Sequence, residues 1–393
     1  MADGAVLSGV RILDFSRVLA GPYATRLLAD FGAEVIRVQP LLPAESSDRF
    51  ARGYENTWNR NKLGITLDLD KEAGRDLARR LVVVSDAVVE NFTPRVMANW
   101  GLDYPRLREV KPEIIMVSLS LMGQTGPWRD YAGFGPTVHA FSGLTALTAF
   151  PGGPPVGPGF AYADHVAGLF ASLALTGALE QRRRTGKGQH VDLAEVEAVV
   201  SVLGGAVADC SRSGREPVTQ GNRSPAAAPR DVYRCRGRDR WCAVSVPDET
   251  AWRGLKAALG RPAWAEEARF ATPEARQENQ EELDGLISAW TATRTAVQVM
   301  RTLRRHGVPA GVVQSAADLA RDPHLKARGF FVSLPHPGLG ETVADASPLR
   351  FSRTPAAYRR AAPLPGQDND AVFRGLLGLT KAETAALRRQ GVI

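Results

Sequence analysis

Between Val10 and Leu119 the chain alternates short apolar runs with stretches of helical periodicity, and this restricts its fold more than any other feature. V-R-I-L-D-F, Val10 to Phe15, reads as a strand. A helix from Ala20 to Phe31 follows, carrying Tyr23, Leu27 and Leu28, and E-V-I-R-V, Glu34 to Val38, is the next strand. That order makes a parallel pair with a helical crossover. It continues with a strand over Ile65 to Asp68, a helix through Leu77 and Leu81, and strands over Asp86 to Glu90 and Ile114 to Leu119. The expectation is an α/β fold around an open parallel sheet. Such sheets bind ligands beyond the carboxyl ends of their strands, so the loops following the strands deserve inspection.

After the first strand comes S-R-V-L-A-G-P-Y, Ser16 to Tyr23, in which Gly21 and Pro22 start a helix after a tight turn. The fourth strand runs into E-N-F-T-P, where the Asn91 amide and the Phe92 ring suit the edge and face of a base. Each loop taken singly reads more simply as architecture. No G-x-G-x-x-G follows the first strand and no P-loop occurs, so the usual phosphate cradles are absent. Further on, Asp164 opens the segment Ala163 to Gln189, a long apolar helix. A carboxylate there is favoured by the helix dipole and unpaired N–H groups, which predicts that it stays ionised at neutral pH. It is either a plain N-cap or a nucleophile.

The 393 residues suffice for two domains. The formal charge of +7 would fit nucleic acid, an acidic membrane or a phosphorylated small molecule. The densest basic groups, Arg182 to Arg184 with Lys187, and Arg301, Arg304 and Arg305, fall at helix ends, where cations suit the dipole. No nucleic-acid-binding motif accompanies them, so no nucleic-acid partner is expected. No apolar run approaches a membrane span and the first residues lack a signal-peptide pattern, so no membrane association is expected. Cys210, Cys235 and Cys242 are odd in number and lack metal-ligand spacing, which points to a reducing cytoplasm and to no metal.

An ordered set of motifs carries a resemblance over essentially the whole chain. It comprises Leu7 to Tyr23, D-F-G-A-E-V-I-R-V (Asp30 to Val38), N-R-N-K-L-G-I-T-L-D-L (Asn59 to Leu69), V-E-N-F-T-P (Val89 to Pro94) and G-Q-T-G-P (Gly123 to Pro127). The Asp164 helix ending R-T-G-K-G-Q, then G-N-R-S-P-A-A-A-P (Gly221 to Pro229), G-V-P-A-G-V-V-Q (Gly307 to Gln314), D-P-H-L-K-A-R-G-F-F (Asp322 to Phe331) and L-L-G-L-T (Leu376 to Thr380) complete it. The chain resembles the class III CoA transferases of the CaiB/BaiF type.

The resemblance implies a large Rossmann-like domain built from both ends of the chain, a smaller α+β domain between them, and two ring-shaped subunits interlocked as a homodimer. The large domain would cover 1–205, a linker 206–222, the small domain 223–330, and a C-terminal return 331–393. In the small domain, strands are expected over Val232 to Cys235 and Trp241 to Val246, with helices over Glu249 to Leu259, Glu281 to Trp290 and Ala296 to His306. Pro355 and Pro363 to Pro365 would lie in extended connectors.

By the same resemblance Asp164 matches the nucleophile, forming an aspartyl anhydride and then an aspartyl-CoA thioester with an acyl-CoA and a carboxylic acid as substrates. No tightly bound cofactor is implied. CoA contacts carry over to Val18, Leu19 and Ala20, to Arg37, to Leu67, Asp68, Leu69 and Asp70, and to Asn91, Phe92 and Thr93. By charge, Arg37 is the first choice for a phosphate and Arg95 the second. The matching cations at Asn99 and Gly133 are missing. Gly221 and Asn222 would belong to a loop closing over the acyl group. Phe134, Phe141, Phe160 and Tyr162 are the aromatic candidates for an apolar acyl pocket. The similar α-methylacyl-CoA racemases pair the Asp with a His, whose place Phe134 takes here, and a phenyl ring transfers no proton. His139 lies five residues later and His165 reads as structural. A non-catalytic CoA-binding protein is the other alternative, and it would not need Asp164.

Overall fold

The computed structural model describes residues 4–41, 49–216 and 219–393, with the side chains of 49–52 left aside. The chain divides into two compact units. The first comprises Met1–Leu147, Val156–Pro217 and Lys326–Ile393, and the second Thr148–Pro155 and Val218–Leu325.

The first unit is built on six parallel strands: β1 (Arg11–Asp14), β2 (Glu34–Gln39), β3 (Lys62–Thr66), β4 (Ala87–Glu90), β5 (Ile115–Ser120) and β6 (His190–Ala194), in the order β3-β2-β1-β4-β5-β6. The helices that serve it are α1 (Ala20–Asp30), α2 (Arg49–Asn59), α3 (Glu72–Val83), α4 (Arg95–Trp100), α5 (Tyr104–Val110), α6 (Gly135–Phe141), α7 (Leu144–Leu147), α8 (Tyr162–Thr185), α9 (Glu195–Val202) and α10 (Gly204–Ser213). On one face of the sheet Leu77 and Leu81 of α3 and Leu107 of α5 join Phe373 and Ile393 from the C-terminal return. On the other, Leu28 of α1 packs with Ala167, Ala171 and Leu175 of α8. Each buried Leu, Ile or Phe side chain among these contributes about 1.5–3 kcal/mol of transfer free energy.

The α1–α8 seam is narrow because α8 turns Ala163, Ala167, Gly168, Ala171 and Ala178 inward. A Cβ on Gly168 would lie 2.8 Å from the Ala20 carbonyl oxygen, so the crossing requires glycine. The helix ends at Gly186, which takes the left-handed conformation (φ 71°) that a C-terminal cap needs.

Two differences from the sequence reading have physical causes. β3 begins at Lys62, three residues before the expected strand, and Lys62 is fully buried. A lysine ordinarily marks solvent, but here Nζ meets Asp14 Oδ2 at 2.9 Å, Asn59 Oδ1 at 2.9 Å and the Pro22 carbonyl at 3.0 Å. β6 escaped notice because it is short, polar and half-exposed. The connector expected over 206–222 is helical as far as Ser213, as part of α10.

The second unit carries the antiparallel sheet β7 (Arg230–Arg234), β8 (Trp241–Ser245) and β9 (Ala310–Val312). Helices Glu249–Ala258, Gln280–Ala292 and Ala296–Arg305 cover it, burying Trp252, Leu283 and Leu303. In the first unit, the return segment forms a hairpin of Phe331–His336 and Gly340–Asp345, and Asp345 pairs with Arg26 of α1 at 3.0 Å.

Candidate functional site

The strand order reverses between β1 and β4, and at such a reversal the two following loops diverge and leave a crevice. A cavity of about 130 Å³ sits there. Arg17 and Val18 reach it from the loop after β1, Asn91 to Thr93 from the loop after β4, and Leu119 to Leu121 from the end of β5. Phe134, Asp164 and Glu195 line the rest.

The first loop is held from below by Asp14. Its Oδ1 accepts from the Ser16 backbone at 2.9 Å and from the Ser16 hydroxyl; its Oδ2 accepts from Thr25 at 2.6 Å and from Lys62. Burial alone would raise the Asp14 carboxyl, but the Lys62 charge and these hydrogen bonds bring it below the usual carboxylate range. Burial lowers Lys62 to about 8, so both partners are charged at neutral pH. Above this support Val18 takes φ 63°, an outlier for a β-branched side chain that costs about 1–3 kcal/mol. Asn91 braces the same loop, accepting from the Arg17 N–H at 2.7 Å and donating to the Arg17 carbonyl at 2.9 Å. Its amide, expected to read a base, is occupied by that brace.

Asp164 stands at the third position of α8, and the cap position belongs to Ala161. The N-cap reading is therefore incorrect. The free N–H of Ala163 is taken instead by His139, whose Nε2 accepts it at 3.1 Å. His139, set aside on sequence distance, thus lies at the start of the Asp164 helix, buried and with its lone pair engaged; burial lowers its basicity. Asp164 itself is buried, and its Oδ2 has no hydrogen-bond partner among the described residues. A Cβ on residue 135 would fall 2.6 Å from that oxygen, so Gly135 is what lets the carboxylate approach the loop. Burial raises the Asp164 carboxyl above its ordinary value, with its own backbone N–H, His165 and His139 opposing. Desolvation outweighs the helix start, so the carboxyl lies above its ordinary value despite the dipole.

Besides Tyr131, two ionisable groups of this pocket had gone unread. Arg17 brings a cation that burial lowers only to about 10, still charged at neutral pH. Glu195, first residue of α9, is buried in the same pocket. Both have a positional signal, since each falls in a loop or helix start directly after a parallel strand.

The remaining expected contacts scatter. Leu19 and Ala20 are buried at the start of α1, and Leu67 and Leu69 belong to the core. Asp68 binds the Asp70 N–H at 3.1 Å and Lys71 at 3.2 Å. Arg37, the expected phosphate partner, is buried with Nη2 2.5 Å from Glu55, so the cation facing the pocket is Arg17 instead. Arg95 is exposed and lies 3.4 Å from Asp130. Of the four aromatics expected at the acyl pocket, Phe134 lines it; Phe141 lies tilted against Trp128, and Phe160 packs against Tyr162 and His165. Gly221 and Asn222 are in the second unit, beside a cavity of about 420 Å³, where Asn222 donates to Asp231 at 3.0 Å. Among the described residues no cluster of His, Cys, Asp or Glu is arranged to hold a metal ion, and no helix is long and apolar enough to cross a membrane.

Comparison with known proteins gives a consistent result. Residues 7–369 match the family described as CoA-transferase family III. The chain is 39% identical to succinyl-CoA–D-citramalate CoA-transferase of Chloroflexus aurantiacus, over 98% of each chain. It is 33% identical to succinate–glutarate CoA-transferase of Agrobacterium fabrum, covering 96% of this chain and 97% of the relative. Its fold superposes on a CaiB/BaiF family protein from Brucella suis with a TM-score of 0.86 at 31% identity, covering 95% of this chain and all of the other. With its switch-point crevice and unpartnered buried carboxylate, the chain is an enzyme of CoA-transferase family III.

Proposed function

We propose that this enzyme moves CoA from an acyl-CoA to a free carboxylic acid through covalent intermediates on Asp164. The observation that carries the reading is the buried Asp164 Oδ2, which has no hydrogen-bond partner among the described residues, on a residue that lines a pocket formed by the switch-point loops. Burying a carboxylate oxygen unpaired is costly, and the cost is recovered when that oxygen forms a bond. Asp164 attacks the thioester carbonyl, making a C–O bond and expelling CoA as thiolate. The thiolate attacks the Asp164 carbonyl carbon of the anhydride, making an aspartyl thioester and releasing the donor acid. The acceptor carboxylate then attacks the aspartyl thioester and expels the thiolate. That thiolate attacks the acceptor's carbonyl carbon in the new anhydride, yielding the new acyl-CoA and free Asp164. No net proton or electron is consumed.

CoA would lie along Val18 to Ala20 and Asn91 to Thr93, largely on backbone groups, with Arg17 and Arg95 supplying positive charge. The donor in this reading is succinyl-CoA and the acceptor a short dicarboxylic acid, as the relatives' names suggest. A cavity near 130 Å³ supports a short acyl group, since an engineered apolar cavity of ~150 Å³ admits benzene. Exposed Leu169, Phe170 and Leu173 on α8 support self-association as a homodimer. Buried, unbonded Cys235 and Cys242 favour a reducing cytoplasm. A racemase is less well supported, because Phe134 lines the pocket and the His139 lone pair is engaged.

The test is exchange between succinyl-CoA and a panel of dicarboxylic acids, read by mass spectrometry, with borohydride added during turnover. The expected result is new acyl-CoA and a reduced Asp164 in its peptide. Undiminished transfer by Asp164→Asn overturns the nucleophile. Washout of the α-proton in deuterated water without any acceptor acid supports the racemase instead.

A further inference from the structure

Asp164 shares its pocket with a second buried carboxyl, that of Glu195. The two arrive from different elements: Asp164 from the first turn of α8, Glu195 from the first residue of α9, just beyond β6. These helices pack on each other, so the pairing is built into the fold. The two carboxyls are not equivalent. Asp164 has its own backbone N–H, His165 and His139 to favour its anion. No hydrogen bond to the Glu195 carboxyl occurs among the described residues, and both burial and the Asp164 charge act to keep a proton on it, up to about 8. One cavity thus presents two unequal carboxyls, Asp164 with groups that favour its anion and Glu195 with none.

We propose that Glu195 is a catalytic residue of the transfer: its protonated carboxyl donates a hydrogen bond to the acyl oxygen that becomes negative when Asp164 attacks. This rests on Asp164 being the nucleophile. The Glu195 proton stays where it is, so the bonds made and broken are those already given. A preorganised donor aimed at a developing oxyanion is worth about 10²–10³ in rate in a site shielded from water. It also explains why a second acid is tolerated beside the nucleophile. A charged Glu195 would repel the incoming carboxylate and the thiolate, whereas a neutral one binds the oxygen of both donor and acceptor acyl groups.

The role depends on pH, and the neighbouring charges define how. Titratable groups on the elements packed against α9 are His139 on α6, Tyr162, Asp164, His165, Glu180 and Arg182 to Arg184 on α8, His190 and Asp192 on β6, and Asp209, Cys210 and Arg212 on α10. Glu197 shares α9 itself, and Arg17 and Tyr131 complete the ionisable lining of the pocket. Of these, Asp164 is the one whose charge shifts Glu195. As pH rises through about 8 the donor is lost, so kcat/KM falls roughly tenfold per unit beyond it.

The experiment is isotope exchange between succinyl-CoA and ¹³C-succinate from about pH 6 to about pH 10, using wild type, Asp164→Asn, Glu195→Gln and Glu195→Leu. Glu195→Gln keeps a donor that does not titrate; it is expected to be about fivefold slower and to lack the alkaline fall. Glu195→Leu has no donor and is expected to lose about a hundredfold. Difference infrared spectroscopy, which needs no turnover, should show a protonated-carboxyl band at neutral pH that vanishes in Glu195→Gln. Exchange undiminished in Asp164→Asn overturns the nucleophile reading. With exchange abolished in that variant, the Glu195 role alone is overturned by any of three results: an alkaline fall that persists in Glu195→Gln, Glu195→Leu within threefold of wild type, or no infrared band.

Discussion

Asp14 and Asp164 are both aspartates buried near the carboxyl edge of one sheet, and the fold treats them in opposite ways. Asp14 is saturated, with Ser16, Thr25 and Lys62 donating to its two oxygens, and its carboxyl is brought below the usual range. Asp164 keeps an oxygen with no hydrogen-bond partner among the described residues, and its carboxyl is raised. Saturation makes a carboxylate a structural bolt, because every lone pair spent on the fold is unavailable to a substrate. An unspent lone pair destabilises the fold and is available for bond formation.

The comparison breaks most visibly at Asp164. Asp164→Asn should lose at least about 10³-fold in transfer, roughly 4 kcal/mol in barrier, while melting higher by an amount of about 1 kcal/mol. The sign follows from linkage. A raised folded-state carboxyl contributes stability that is fully present below its unfolded value and lost as pH rises through the folded one. Above the folded-state value the wild type has lost it, and the Asn variant has no such loss. Asp14 should behave inversely. Asp14→Ala leaves the Lys62 ammonium buried and unpaired and should cost about 3–5 kcal/mol in denaturant unfolding, much of it recovered by adding Lys62→Met. Its stabilisation is present above the ordinary carboxylate range and lost as pH falls through the depressed value, so acid should unfold the wild type first by this route.

Smaller changes sharpen the contrast. Gly135→Ala sets a methyl 2.6 Å from the free oxygen and should slow transfer about 30-fold with little change in melting. If melting falls and transfer holds, Gly135 serves packing and not the carboxylate. His139→Ala removes the acceptor for the Ala163 N–H and should cost about 1 kcal/mol of stability, as lost helix caps do, read by thermal melting at fixed pH.

Much of this was legible in the residues. The run E-V-I-R-V gave β2 within one residue, because its Val35, Ile36 and Val38 are all buried and a strand covered on both faces is mostly apolar. Asp164 and the loops at Val18 and Asn91 were found as members of one collinear pattern. What failed shares a cause. Lys62 in β3, Arg37 beside Glu55 and Glu195 at the head of α9 are charged side chains inside the fold, and charge read along a chain signals solvent. Only the partner, distant in sequence, shows otherwise: Asp14 lies 48 positions from Lys62. The elevation of Asp164 was missed for the same reason, since desolvation is a property of the surroundings.

The crossing at Gly168 has a consequence for how the enzyme tolerates change. Gly168 is four residues, about 6 Å of helix rise, from Asp164 on a rod of 24 residues. Whatever moves the rod against α1 moves the Asp164 carboxyl with it. The seam therefore works as a gauge block: helix-to-helix spacing sets carboxylate position, and methyl-sized edits far from any substrate would retune which acyl groups react.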